Sequence, residues 1–189
     1  METQDEKEVE LGYSLIQEER YEEAFKVLQP IAERGSKYAC LYLGWLYQTG
    51  LGVVQSQEHA EKWYRKVADT GLPSGQHYLG NLLRNLQRFR EAVIWYERAA
   101  AAGYLPAIYR LGRSYEIGQG TSKDELKAKQ YLQEAAAKGH LFAQRDVAVL
   151  MLKGRFGYLR MPLGAVNFLS TVVRGAALAL KDPESEKLR

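Results

Sequence analysis

The sequence predicts an all-α protein, an α/α superhelix (solenoid) of about five helix–turn–helix repeats. Three observations predict it. A Leu-Gly pair recurs at Leu11-Gly12, Leu43-Gly44, Leu79-Gly80 and Leu111-Gly112, with Val147-Ala148 as a degenerate fifth copy, at spacings of 32, 36, 32 and 36 residues. Each unit then closes on a glycine: Gly35, Gly71, Gly103, Gly139 and Gly175. Between pair and closing glycine, small and apolar residues fall at helical spacing. A single hairpin of helices cannot bury its own apolar face, so a period of this length marks hairpins that stack on one another.

The elements follow in order. Residues 1–7 are an acidic extension, and repeats are expected over 8–38, 39–74, 75–106, 107–142 and 143–175. Residues 176–189 form a helix end and a polar tail. The first helix of each unit carries the Leu-Gly pair. A mid-helix glycine costs about 1 kcal/mol in propensity, so its recurrence points to two helices in close approach. Tight turns follow in the short units, at Glu18-Glu19-Arg20-Tyr21 and Leu86-Gln87-Arg88-Phe89. The long units carry four extra residues there. Their turns read Tyr47-Gln48-Thr49-Gly50-Leu51-Gly52-Val53, Tyr115-Glu116-Ile117-Gly118-Gln119-Gly120-Thr121 and Met151-Leu152-Lys153-Gly154-Arg155-Phe156-Gly157. Glycine stops a helix cheaply because it adopts left-handed backbone angles, so the insertion is loop. The second helices bury Ala24, Val27, Leu28 and Ile31; then Ala60, Trp63, Tyr64, Val67 and Ala68; then Ala92, Trp95, Tyr96, Ala99 and Ala100; then Ala128, Tyr131, Leu132, Ala135 and Ala136. The small leading residue admits the neighbouring helix, and the aromatic three residues on is expected to fill the gap above.

The pattern from Ala39 through Leu43-Gly44, Tyr47, Gly50, Gly52-Val53, Ala60, Trp63-Tyr64 and Val67-Ala68 to Gly71 resembles the Sel1-like repeat. So does the pattern Ala107, Leu111-Gly112, Tyr115, Gly118, Gly120, Ala128, Tyr131, Ala136, Gly139. The short units are similar to the sister family of tetratricopeptide repeats. The resemblance covers about residues 8–175 and implies antiparallel helix pairs in a right-handed superhelix with a concave groove. It also implies adaptor or scaffold work without a shared active site.

With the Leu-Gly positions turned inward, the groove falls to other first-helix positions: two and one before the leading apolar residue, and two and five after it. In the first half these positions include Val9, Glu10 and Ile16, with Tyr13, Leu41, Tyr42 and Trp45 as anchors for an apolar segment. Further along come His77, Tyr78, Asn81, Arg84, Tyr109, Arg110, Arg113 and Arg145. Arginine forks suit carboxylates, and Trp, Tyr and Arg dominate binding hot spots. The expected guest is a protein or peptide segment, apolar at one end and acidic at the other. Equally, Tyr42 and Trp45 could be packing residues and the arginines a solvated, salt-bridged face. Some tetratricopeptide proteins clamp a terminal carboxylate with Asn, Lys and Arg. Asn81 and Arg110 stand at compatible positions, but the lysines have no counterpart.

Residues 163–180 carry a single charge, Arg174, and are apolar on nearly every face. A terminal repeat needs a polar outer face, so this segment is expected to meet something else, either a second copy of the chain or a membrane surface. A bilayer span takes about 20 apolar residues, and Asn167 and Arg174 interrupt this run.

Charge is uneven around a net of +3: residues 1–39 hold ten acidic and five basic side chains, and residues 76–160 hold fourteen basic and seven acidic. The lone Cys40 rules out an intramolecular disulfide and sits at a packing position. Residues 1–10 lack the basic and apolar regions of a secretory signal, so a cytoplasmic protein is expected. His59, His77 and His140 fall in different units without metal-ligand spacing. The glycine pairs follow helices rather than strands and no Gly-Lys-Ser/Thr follows. No enzyme activity, cofactor or metal is expected, and no nucleic-acid partner either, since a concentrated lysine run is lacking.

Overall fold

The computed structural model describes residues 4–152. Within them the chain forms nine α-helices and no strand: α1 (Gln4–Gln17), α2 (Tyr21–Glu33), α3 (Lys37–Thr49), α4 (Gln57–Ala68), α5 (Pro73–Asn85), α6 (Phe89–Ala101), α7 (Leu105–Ile117), α8 (Glu125–Ala137) and α9 (Leu141–Leu152). Odd-numbered helices carry the Leu-Gly positions, and even-numbered ones follow each turn. The chain divides into two compact units that part between Tyr104 and Leu105. The first holds the hairpins α1/α2, α3/α4 and α5/α6, with α2 packed on α3 and α4 on α5. The second holds the hairpin α7/α8, with α9 packed on α8.

Each hairpin is locked where its mid-helix glycine meets the partner helix. A Cβ on Gly44 would lie 2.5 Å from Cε1 of Tyr64, and one on Gly80 would lie 2.6 Å from Cε1 of Tyr96. Gly12 meets Leu28 and Gly112 meets Leu132 in the same way. The residue over the glycine is therefore four after the small residue of the second helix, not three as expected. Four residues complete one turn, so Tyr64 stacks directly above Ala60 on the face turned to α3. The residue three on turns aside, where Trp63 faces the ammonium of Lys66 and Trp95 the guanidinium of Arg98.

Caps fix where the helices start. Ser36 Oγ accepts from the Ala39 amide, Ser56 Oγ from the His59 amide, and Asp124 Oδ1 from the amides of Leu126 and Lys127. These satisfy donors that the first helical turn leaves without partners. In the first long turn, Gly50 ends α3 at φ +76. A Cβ on Gly52 would collide with the backbone of Tyr21 and Glu22, so the insertion is held against the start of α2. The short units turn without glycine: Glu19 and Gln87 adopt φ +59 and +62.

Residues 4–7 of the acidic extension are helical and open α1. One expectation is corrected. Leu11 is 51% exposed, whereas Leu43 and Leu79 are buried. The helices of Leu43 and Leu79 each pack on the preceding hairpin, α3 on α2 and α5 on α4, and among the described residues no helix precedes α1. The second half of the fifth repeat, Gly175 and the apolar run 163–180 lie outside the described residues. No helix among the described residues is long and apolar enough to cross a membrane.

Candidate functional site

In the first unit, the faces of α1, α3 and α5 that turn away from the hairpin cores form an aromatic cleft of about 430 Å³. Tyr13, Ile16 and Gln17 of α1, Tyr38, Leu41, Tyr42 and Trp45 of α3, Ser74 and Tyr78 of α5, and Tyr104 line it. Its volume falls within the usual range for ligand pockets, about 300–1,000 Å³. The Tyr13 and Tyr42 rings stack at 5.6 Å between centroids, and Tyr78 stacks on the buried Tyr64 at 5.7 Å. Trp45 leans on Tyr21 at 6.1 Å. These contacts fix the rings, so a guest need not order them. Tyr13, Tyr38 and Tyr78 remain 45%, 60% and 40% exposed. Burial pushes the Tyr42 hydroxyl up from its ordinary pKa, with Tyr13, Tyr78 and Tyr38 adding to the effect. Burial raises Tyr104 too, helped by Tyr78. The hydroxyls thus stay protonated at neutral pH and can donate.

A second hollow of about 310 Å³ shares Tyr13, Tyr38 and Tyr42 with the first and adds Asp5, Glu6, Val9, Glu10 and Ser36. Arg34 reaches this edge from the end of α2, bonding Asp5 at 2.6 Å and Glu8 at 2.9 Å.

The four first-half candidates, Tyr13, Leu41, Tyr42 and Trp45, therefore share one cleft. The next candidates are placed differently. His77 is 8% exposed and packs among Tyr78, Tyr96 and Tyr104, so it does not face a guest. Asn81 is spent within the protein. Its Oδ1 accepts from the Tyr96 hydroxyl at 2.9 Å, and its Nδ2 lies 2.9 Å from His77 Nε2. The equivalent buried hydroxyl one hairpin earlier, on Tyr64, donates to Gln48 Oε1 at 3.0 Å. Burying a tyrosine over glycine demands a partner for its hydroxyl, which explains both amides. Arg84 donates to Asn85 Oδ1 at 3.0 Å.

The remaining candidates lie in the second unit. Tyr109 is buried, donates to Asp146 Oδ2 at 2.9 Å and stacks on His140 at 4.4 Å. Arg145 bonds Asp146 Oδ1 through two nitrogens, at 2.8 and 2.9 Å. Arg113 pairs with Glu116 and stands 3.7 Å from Asp146. Arg110 lies 5.9 Å from the Tyr109 ring centroid. Tyr109, Arg113 and Arg145 thus converge on one buried carboxylate.

Four residues of the cleft carry no mark in the sequence pattern: Gln17, Tyr38, Ser74 and Tyr104. Tyr38 and Ser74 stand five before the leading leucine, four before a position already assigned to the groove. On a helix that is the same face one turn earlier. Glu6 is the matching residue of α1, so extending the face by one turn would have found Tyr38, Ser74 and Glu6 together. Tyr104 lies between helices, where periodicity gives no signal.

Other groups noted in the sequence have local roles. The Cys40 thiol is buried and donates to the Ala32 carbonyl at 3.5 Å; desolvation pushes its pKa up, which keeps it an unreactive thiol. His59 stacks on Tyr47 and bonds Ser56 Oγ at 2.8 Å. Among the described residues no three His, Cys, Asp or Glu side chains are grouped so as to hold a metal ion.

The family model described as Sel1 repeat matches residues 37–72, 73–104 and 105–140. A solved Sel1 repeat protein from Oxalobacter formigenes is similar over 85% of this chain and 66% of its own, with TM-score 0.71 and 28% identity. An uncharacterized protein of Neisseria meningitidis serogroup B is 32% identical over 66% of this chain and 26% of its own length. An exopolysaccharide production negative regulator of Rhizobium meliloti is 26% identical over 68% of this chain and 55% of its own length. The chain thus spans about a quarter and about half of these two relatives.

Proposed function

This chain belongs to the Sel1 repeat family, and we propose that it acts as a scaffold that holds an apolar segment of a partner protein in the aromatic cleft of α1, α3 and α5. Sel1-repeat proteins generally mediate protein–protein interactions, and a regulator stands among the relatives. The observation that carries the proposal is six aromatic rings lining one cleft, three of them 40% or more exposed. Large exposed apolar surfaces are uncommon on soluble proteins and mark interaction sites.

Magnitudes set what the cleft can do alone. Two apolar side chains buried there gain about 3–6 kcal/mol, while association costs about 4–15 kcal/mol. Apolar anchoring is therefore marginal by itself, and neighbouring polar contacts must contribute. The groups expected to meet the acidic half of the guest are already engaged. Arg113 and Arg145 already face Asp146, Asn81 serves Tyr96, and a guest carboxylate would have to displace these partners.

Truncating Trp45 and Tyr42 to alanine tests the reading. Affinity capture from cells, with helicity checked by circular dichroism, should lose the partner recovered by the parent chain. Equal recovery by a folded double variant would overturn it.

A further inference from the structure

We infer that the segment held by this cleft carries a lysine or arginine beside its apolar anchors, with the cation seated between the Tyr13, Tyr38 and Tyr42 rings and the carboxylates of Asp5, Glu6 and Glu10. The inference rests on the proposed docking of an apolar segment and adds the charge of the guest. Three observations carry it. The two hollows share Tyr13, Tyr38 and Tyr42, so a guest anchored in the first extends directly into the second. Among the described residues the second hollow is lined by three carboxylates, of which Asp5 is paired with Arg34, and by no lysine or arginine. Its aromatic wall is a stacked pair plus the most exposed ring of the cleft, Tyr38.

Ring faces carry negative potential and attract ammonium and guanidinium groups, and carboxylates at the rim add to the same field. A guest carboxylate would meet repulsion from both. The helix dipole explains acidic residues in the first turn of α1, where Asp5 and Glu6 stand. It does not explain Glu10, two turns in and exposed on the cleft side. Arg34 neutralises part of the edge through Asp5 and Glu8, and Glu10 lies one turn beyond Glu6 toward Tyr13. The charge complement of this rim is a basic residue.

The test titrates the full chain with short fluorescein-labelled peptides that share one apolar core of leucine and phenylalanine, flanked by two lysines, two serines or two glutamates. Fluorescence anisotropy should rank lysine above serine above glutamate, with only the lysine peptide losing affinity as salt rises. Glu10→Lys should weaken the lysine peptide about tenfold and leave the serine peptide unchanged, while Trp45→Ala weakens all three. Glu10→Gln gives a smaller loss and guards against misfolding of the reversed variant. Equal binding of the lysine and glutamate peptides, or a lysine peptide indifferent to Glu10→Lys, would overturn the charge assignment and leave the docking reading standing. Failure of every peptide to bind, or indifference to Trp45→Ala, would remove the docking reading and this inference with it.

Discussion

Gly44 lies beneath the ring of Tyr64 so closely that a Cβ there would stand 2.5 Å from Cε1. The pair fixes how near α3 and α4 approach and so how the α3 face presents Tyr42 and Trp45. Alanine at this position gains about 1 kcal/mol of helix propensity, but overpacking a tight core costs about 1–3 kcal/mol. Gly44→Ala is expected to lose up to about 2 kcal/mol net in urea unfolding. Gly71→Ala separates packing from backbone strain, because Gly71 has φ +82 and open space around it. That variant should lose about 1 kcal/mol through conformation alone, with the hairpin contacts intact.

The short turns offer the opposite experiment. Gln87 holds φ +62 without the freedom of glycine, and its side chain is exposed. A left-handed non-glycine residue costs about 1–2 kcal/mol, partly offset by the greater chain entropy that glycine loses on folding. Gln87→Gly should therefore raise stability by about 0.5–1 kcal/mol. An unchanged urea midpoint would show that the turn is not strained.

How far the sequence reveals this protein follows from which residues repeat. Leu-Gly pairs and closing glycines make all nine described helices legible, because close approach and helix termination each demand one residue type at a fixed place. Part of the cleft is legible too, through Tyr13, Leu41, Tyr42 and Trp45. His77 and Asn81 occupy groove positions by counting, yet Asn81 serves the buried Tyr96 hydroxyl and His77 bonds Asn81. Counting gives the direction of a side chain but not who has already taken its hydrogen bonds. The exposure of Leu11 is hidden for a related reason: it holds the same place in the repeat as Leu43, and only the neighbouring helices differ.

His140 ties stability to pH. Its Nδ1 accepts from the Ala143 amide at the start of α9, at 3.2 Å. Burial, then Arg110, lowers its pKa from the ordinary histidine value of 6.5, with Asp146 pulling the other way. The folded state thus binds this proton less readily than the unfolded chain. The contribution is fully present above 6.5 and is lost as pH falls through that value and the lower folded pKa. His140→Asn keeps a capping acceptor that does not titrate. Relative to this variant, the parent chain should lose thermal stability between about pH 7.5 and 5.5. Parallel melting curves for both across that range would exclude the effect.

The claim that a partner enters between the first helices of the first unit can be tested in intact cells, whatever protein that partner is. A photoreactive phenylalanine analogue placed at Tyr38, within the cleft, is compared with the same analogue at Lys62 on α4, outside it. Irradiation should give a discrete higher-mass adduct from position 38, competed by the Trp45-containing parent chain but not by its Trp45→Ala variant. An adduct formed from position 62 and none from position 38 would contradict the account.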